Sequence, residues 1–163
     1  MKKVLQMTAC AFTFRNSEGY MREVAKFSEC FVCGDENSCG LKARFYVQED
    51  GSVTTEYRVE ERFVGYAEVL HGGILASLLD EVMIKAVLKD GILAVTAAME
   101  VKFKRPIYVD QIIKLSGRVK ECKGRVYKTE GIARVNGEIA GTASGTYVQA
   151  RGELADTLAR SLK

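Results

Sequence analysis

The residues best suited to chemistry lie together at 71–88, HGGILASLLDEVMIKAVL. The only histidine, His71, precedes Gly72 and Gly73, and the acid Asp80 follows within an apolar helical pattern. Two glycines would let a ligand approach the free backbone N–H groups of a helix N-terminus. A carboxylate among small or apolar residues needs hydrogen-bond partners, and such acids are common at active sites. The stretch therefore predicts a functional site, with an ordinary acid on a solvated helix face as the alternative.

The spacing of apolar residues predicts one helix with a broad apolar face and a narrow stripe that holds the acid. The broad face contains Ile74, Leu75, Leu78, Leu79, Val82, Met83 and Ala86. The stripe with Asp80 contains Gly73, Ser77 and Ile84. Because this stripe carries little charge, we expect the helix to be buried on most sides. Glu81 is rotated by about 100° from Asp80 and is interpreted as structural.

The length and composition are typical of one globular domain. With 163 residues, 47% hydrophobic and 28% charged, the chain can bury a proper core. We expect a single domain over 1–163, with an N-terminal extension of a helix or two at 1–28 and a C-terminal tail at 151–163. The net charge of +3 is too small to indicate nucleic-acid binding. No apolar run reaches the roughly 18 residues of a membrane span.

The N-terminus and the cysteines indicate a cytoplasmic protein. The first residues, MKKVLQMTACAFTF, make a poor signal peptide because polar residues interrupt the apolar stretch. Five cysteines without an export signal are typical of reduced thiols. Cys30, Cys33 and Cys39 invite a zinc interpretation, but a fourth nearby ligand is lacking. We therefore expect a structural loop here, with no metal and no cofactor.

Strand patterns flank the helix on both sides. Alternation predicts strands at 41–48 and 52–60 around an Asp50-Gly51 turn, and 62–70 leads into the helix. Long strands follow the helix, and a short amphipathic helix ends the chain. These later elements span 92–107, 112–122, 125–135, 138–150 and 153–163. Because one sheet must cover the helix, we expect an α+β domain with an antiparallel sheet wrapped around one long central helix.

The strand at 92–107 is predicted to alternate without interruption. One face would carry Val95, Ala97, Met99, Val101 and Phe103. The other face would carry Thr96, Ala98, Glu100, Lys102 and Lys104. Pro106, the only proline, ends the strand.

Several motifs give the chain a resemblance to a known family. They are Cys30-Phe31-Val32-Cys33-Gly34 with Gly40-Leu41, Phe63-Val64-Gly65-Tyr66, His71-Gly72-Gly73 with Asp80, Thr96, and Lys104-Arg105-Pro106-Ile107. Over residues 30–149 the chain resembles the hotdog-fold acyl-CoA thioesterases, and within them the phenylacetyl-CoA-type and mammalian long-chain acyl-CoA thioesterase group. Two positions depart from the pattern. Ser38 stands where the family usually has proline, and Ile84 stands where some relatives have a hydroxyl.

The resemblance implies hydrolysis of an acyl-CoA thioester, with coenzyme A as part of the substrate rather than a cofactor. Gly72 and Gly73 at the helix N-terminus would polarise the thioester carbonyl. Asp80 would deprotonate a water molecule or attack directly to give a mixed anhydride, and both routes stay open. His71 would contact the thioester region or orient the loop, and Thr96 would position the water or Asp80. An N-cap histidine and an ordinary strand threonine are the plain alternatives.

The spacing of these groups also predicts an assembly. Gly72 and Asp80 are eight residues apart, which is about 12 Å along a helix. One straight helix cannot bring both to the same carbonyl. In the family that the chain resembles, the acid reaches in from a second subunit. We therefore expect a homo-oligomer, either a dimer or a dimer of dimers.

The remaining candidates would bind substrate. Ser77 lies one helical turn before Asp80, and the cations Lys102, Lys104 and Arg105 could meet the phosphates of coenzyme A. A solvated strand face is the plain interpretation of each cation. Two other functions compete on the same fold. One is a non-catalytic acyl-CoA sensor, and the other is a dehydratase that uses a histidine and an acid in a different arrangement.

Overall fold

The computed structural model describes residues 22–162 and is organised around one long helix, α1 (Gly72–Leu88). Nine strands and a second helix accompany it. They are β1 (Arg22–Glu23), β2 (Tyr46–Val47), β3 (Val53–Arg58), β4 (Val64–Tyr66), β5 (Val69–Leu70), β6 (Ala94–Phe103), β7 (Ile112–Lys123), β8 (Val126–Val135), β9 (Glu138–Gln149) and α2 (Gly152–Ser161). None of the helices in this part of the chain is long and apolar enough to cross a membrane.

Seven strands form one antiparallel sheet in the order β1-β2-β3-β7-β8-β9-β6. The hairpins turn at Gly51, Gly124 and Gly137, each with a positive φ that glycine adopts without strain. β6 joins the sheet beside β9 and leaves its other edge unpaired among the described strands. The α+β architecture predicted from the sequence is confirmed.

The inner face of α1 packs on this sheet and forms the core. Leu78, Leu79, Val82 and Met83 are fully buried, as the apolar spacing predicted. The sheet approaches the helix so closely at Gly117 that a Cβ atom there would lie 2.4 Å from the Val82 carbonyl oxygen. The helix ends as predicted, with Gly91 at a φ of 76°.

Two predictions about the first half of the chain need correction. The predicted helices of the N-terminal extension lie mostly outside the described residues, and residues 22–28 form a short strand and an extended segment instead. The strand predicted at 41–48 shrinks to Tyr46–Val47, because Lys42 has a φ of 58° and breaks the extended backbone. The segment 62–70 leads into α1 as predicted, and it folds as a separate small hairpin of β4 and β5.

A bulge in β6 corrects the predicted alternation of that strand. Thr96 pairs with Tyr147 and Ala98 pairs with Thr146, so Ala97 is an extra residue between them. Because one inserted residue shifts the two-residue period, Thr96 lies on the same side as Met99 rather than opposite it. The bulge thus turns the Thr96 side chain toward α1, where it contacts Asp80.

Candidate active site

The Asp80 carboxylate is held by two hydroxyl groups from the sheet. Thr96 Oγ1 donates to Asp80 Oδ1 at 3.0 Å and lies 3.3 Å from Oδ2. Tyr147 Oη donates to Asp80 Oδ1 at 2.7 Å. Asp80 is half-buried, so its carboxylate is fixed in place and still accessible at the surface. This arrangement presents a preoriented oxygen that can accept a proton or attack a carbon.

Tyr147 is the site residue that sequence reasoning missed. It lies in β9, has no exposed surface, and also approaches the Asp80 carbonyl oxygen at 3.1 Å. Its ring fits because Gly145 lacks a side chain, and a Cβ atom there would lie 2.6 Å from the ring. Burial, reinforced by the neighbouring Asp80 charge, raises the pKa of Tyr147, so it remains a hydrogen-bond donor. The Gly-Thr-Tyr sequence of a strand gives no sign of this role.

The N-terminus of α1 leaves one backbone donor without a partner in the described residues. His71 is the N-cap residue, and its Nδ1 accepts from Gly73 N at 2.9 Å. The carbonyl oxygen of His71 accepts from Ile74 N at 2.9 Å. Among the first N–H groups of the helix, only Gly72 N–H is left to face a ligand within the region from Arg22 to Leu162. His71 therefore acts first as a capping residue.

An open groove of about 530 Å³ lies in front of this helix start. His71 and Gly72 line one side, and Lys104 and Arg105 line another. Apolar residues between them include Phe103, which is 56% exposed. The groove thus combines a helix N-terminus, two cations and apolar walls, which suits an anionic ligand with an apolar part.

Two of the four predicted binding residues, Lys102 and Ser77, lie apart from the groove lining. Lys102 sits on the opposite side of β6 and pairs with Glu100 at 3.1 Å. Ser77 Oγ donates to the Gly73 carbonyl oxygen at 2.9 Å within α1. Arg105 lines the groove while it forms an ion pair with Glu138. Lys104 is therefore the exposed groove cation with no ion pair to a described acid.

Within one chain the two halves of the predicted site remain separate. Asp80, Thr96 and Tyr147 are absent from the lining of the groove at Gly72. The helix is continuous from Gly72 to Leu88, so the eight-residue separation remains about 12 Å along its axis. The chain alone presents a donor in the groove and an acid on a different part of α1.

The fold and a family match indicate the class of protein. A seven-stranded antiparallel sheet against one long helix is the hotdog fold, and residues 67–137 match the family model described as the Thioesterase superfamily. The resemblance to thioesterases predicted from the sequence is thereby confirmed, over this segment by the family model and beyond it by the fold.

Solved structures with the same fold include several thioesterase-type proteins. A crystal structure of a thioesterase superfamily protein is 27% identical, with a TM-score of 0.71, over 75% of this chain and 61% of that chain. The Escherichia coli PaaI protein from the phenylacetic acid degradation operon is 19% identical, with a TM-score of 0.60, over 63% and 75%. A hypothetical thioesterase of Streptococcus pneumoniae with coenzyme A is 20% identical, with a TM-score of 0.60, over 62% and 82%.

A curated relative comes from Candida albicans (strain WO-1), where it is described as an uncharacterized mitochondrial protein. It is 29% identical over 89 residues. These residues make up 53% of this chain and 40% of the relative. The chain therefore spans less than half the length of this relative and 61% of the first structure described above.

Proposed function

We propose that the protein is an acyl-CoA thioesterase that hydrolyses the thioester to a free acid and coenzyme A. The observation that carries this proposal is the Asp80 carboxylate, held at the surface by the hydroxyls of Thr96 and Tyr147. A carboxylate oriented by two donors costs little further ordering when it reacts. The free Gly72 N–H supplies the complementary group, a donor for a carbonyl oxygen.

Two reaction routes use these same groups. In the first, Asp80 takes a proton from water, the water oxygen adds to the thioester carbon, and the C–S bond breaks to release the coenzyme A thiolate. In the second, an Asp80 oxygen adds to that carbon and expels the thiolate, and water then hydrolyses the mixed anhydride. In both routes the thiolate gains a proton, and the Gly72 N–H stabilises the oxyanion.

A site that combines both groups requires two chains. The groove in front of Gly72 would receive Asp80 from a partner chain, since the helix of one chain holds the two groups about 12 Å apart. The edge of β6 that no described strand covers, with Met99 and Phe103 36% and 56% exposed, is a suitable surface for such an assembly. We therefore propose a dimer or a dimer of dimers with composite sites.

The Streptococcus pneumoniae protein supports this proposal in two ways. One of its structures contains coenzyme A. Two others are alanine variants of an aspartate and a threonine that lie 16 positions apart in that chain. Asp80 and Thr96 are also 16 positions apart, and here they share a hydrogen bond.

The decisive experiment measures the release of free thiol when the protein is incubated with a panel of acyl-CoAs. The panel covers short, long and aromatic acyl groups. The purified chain should release thiol from at least one member. Asp80→Asn should lower kcat about a hundredfold or more without loss of the folded state, because a base or nucleophile is removed. Asp90→Asn, an exposed acid two residues beyond the same helix, is the matched control and should retain full activity.

The second candidate is an acyl-CoA-binding protein without catalysis, which the groove at Lys104 and Arg105 would also serve. Isothermal titration of a non-hydrolysable acyl-CoA thioether separates the two. Binding of the thioether without thiol release from any panel member would favour the sensor.

A cytoplasmic location and a single domain over 1–163 remain sequence predictions, and the Candida relative is described as mitochondrial.

A further inference from the structure

A second cluster of reactive groups lies on a different side of α1 from Asp80. The side-chain ligand atoms of Cys30, Cys33 and Glu81 all lie within 4.8 Å of one another. Cys33 is fully buried, Cys30 is half-buried, and all four described cysteines are free thiols. Cys39, the third cysteine of the loop, is exposed and lies outside the cluster. The loop therefore holds a pair of thiols rather than a set of three.

The backbone of the loop is shaped around the Cys30 sulfur. Gly34 N donates to the Cys30 carbonyl oxygen at 2.9 Å and closes a tight turn. Only glycine fits at position 34, because a Cβ atom there would lie 2.4 Å from the Ser28 carbonyl oxygen. The turn directs Val32 N–H toward Cys30 Sγ, at an N···S distance of 3.3 Å. A sulfur that accepts backbone N–H groups is stabilised as a thiolate.

The helix places a buried cation beside this pair. Lys85 has no exposed surface, and its ammonium lies 3.4 Å from Glu81 Oε1 and donates to the Ala25 carbonyl oxygen. The hydrogen bond from the Cys33 thiol, helped by backbone N–H groups and the Lys85 charge, lowers the pKa of Cys30 to about 5. The same hydrogen bond and burial raise the pKa of Cys33, and burial raises the pKa of Glu81. Cys30 Sγ also lies 3.8 Å from Glu81 Oε2, and the surroundings of the pair favour the thiolate at Cys30 over Cys33.

We propose that Cys30 and Cys33 form a peroxide-reactive thiol pair that closes reversibly to a disulfide. In the first step the Cys30 thiolate attacks one oxygen of hydrogen peroxide, which breaks the O–O bond and gives a sulfenic acid and hydroxide. In the second step Cys33 sulfur attacks the Cys30 sulfur, and the departing hydroxyl leaves as water with the Cys33 proton. The thiols are oxidised by two electrons, and the peroxide is reduced to water.

The charges of the cluster favour this chemistry over a metal site. A zinc ion among these ligands would stand beside the buried Lys85 ammonium, which stabilises an anion and repels a second cation. Within residues 22–162 the cluster also supplies three ligand residues where structural zinc takes four. A thiolate beside a cation has no such conflict.

The test uses the full-length chain with Cys10, Cys39 and Cys122 replaced by serine, so that only Cys30 and Cys33 remain. Micromolar hydrogen peroxide should lower the intact mass by the two hydrogens of one disulfide and block both thiols to alkylation, and dithiothreitol should restore them. Cys33→Ser in this background should stop at a sulfenic acid that dimedone traps. Cys30→Ser should stay reduced. Circular dichroism confirms that each variant is folded.

Alkylation by iodoacetamide supplies an independent readout. Between pH 8 and pH 6 the rate at Cys30 should change less than about twofold, while an ordinary thiol slows about a hundredfold. Exposed Cys39 in the otherwise native chain is the internal control. The proposal would be overturned if Cys30 and Cys33 stayed reduced at peroxide concentrations that oxidise Cys39. It would also be overturned if each chain bound one zinc ion tightly and that ion protected Cys30 and Cys33 from alkylation. Neither measurement depends on thioesterase activity.

Discussion

The Tyr147 hydroxyl joins the last long strand to the middle of the central helix, since it donates to Asp80 Oδ1 at 2.7 Å and lies 3.1 Å from the Asp80 carbonyl oxygen. It thereby holds both the carboxylate and the backbone that carries it. Thr96 binds the same carboxylate from the neighbouring strand, at its bulge. The orientation of the proposed catalytic acid is thus set by two strands and not by its own helix.

This relationship predicts a specific effect of Tyr147→Phe. The ring still fills the space beside Gly145, so the fold should persist, while Asp80 loses one donor. We expect kcat to fall about tenfold with KM nearly unchanged, since a positioning contact and not a binding contact is removed. Steady-state kinetics on the best acyl-CoA of the panel provides the measurement. Tyr127→Phe, in the adjacent strand, is the control, and an equal fall in that variant would show that general packing is responsible.

The cations near the groove predict a difference between two neighbouring lysines. Lys104→Ala should raise KM for acyl-CoA several-fold, because Lys104 lines the groove and no described acid pairs with it. Lys102→Ala should leave KM unchanged, since Lys102 faces the other side of β6 and pairs with Glu100. The Lys104 effect should shrink as salt concentration rises. Equal KM values for the two variants would place the coenzyme A phosphates elsewhere.

The proposed composite site predicts complementation between two inactive variants. Gly72→Pro removes the free N–H with little strain, because proline suits the first position of a helix and His71 already has the extended backbone that precedes proline. Gly72→Ala, which retains the N–H, is the matched control, and its Cβ atom would meet Phe103 at an ordinary 3.5 Å.

Co-refolded Gly72→Pro and Asp80→Asn chains should recover up to about a quarter of the native activity. Half of the dimers are hybrids, and each hybrid has one site with both lesions and one with neither, as two-fold symmetry requires. Differently tagged chains and tandem purification verify that hybrids form. Hybrids no more active than the sum of their parents would show that each site lies within one chain.

Glu81 predicts a pH dependence of stability. Burial raises its pKa above the ordinary value of 4.5, so the native state holds this proton more tightly than the unfolded chain. The protonated carboxyl contributes to the free energy of unfolding. This contribution is fully present below pH 4.5 and is lost as the pH rises through the raised pKa of Glu81 in the native state. Relative to Glu81→Gln, the native chain should therefore lose free energy of unfolding from about pH 4.5 upward.

Urea unfolding of both chains from pH 4 to pH 8 measures this difference. Glu100→Gln, which removes an exposed acid, should follow the native profile. Parallel profiles for the native chain and Glu81→Gln would show that the Lys85 ammonium fully offsets the burial of the carboxylate.

The sequence by itself determined the local elements and half of the candidate site. The 3.6-residue spacing of apolar residues located α1, and the glycine turns located the long hairpins, because both depend on backbone preferences and one buried face. It also singled out His71, Gly72 and Asp80, since an acid on an uncharged helix stripe and glycines at a helix start are visible without a fold.

Only the tertiary structure decided which distant residues meet. The bulge at Ala97 turns Thr96 toward Asp80, and Tyr147 arrives from β9, because strand pairing over long sequence separations sets both contacts. The same packing separates Lys104 from Lys102 and brings Cys30 beside Glu81 on the next face of α1. Such contacts depend on register and on the approach of helix to sheet, which residue types and local spacing do not specify.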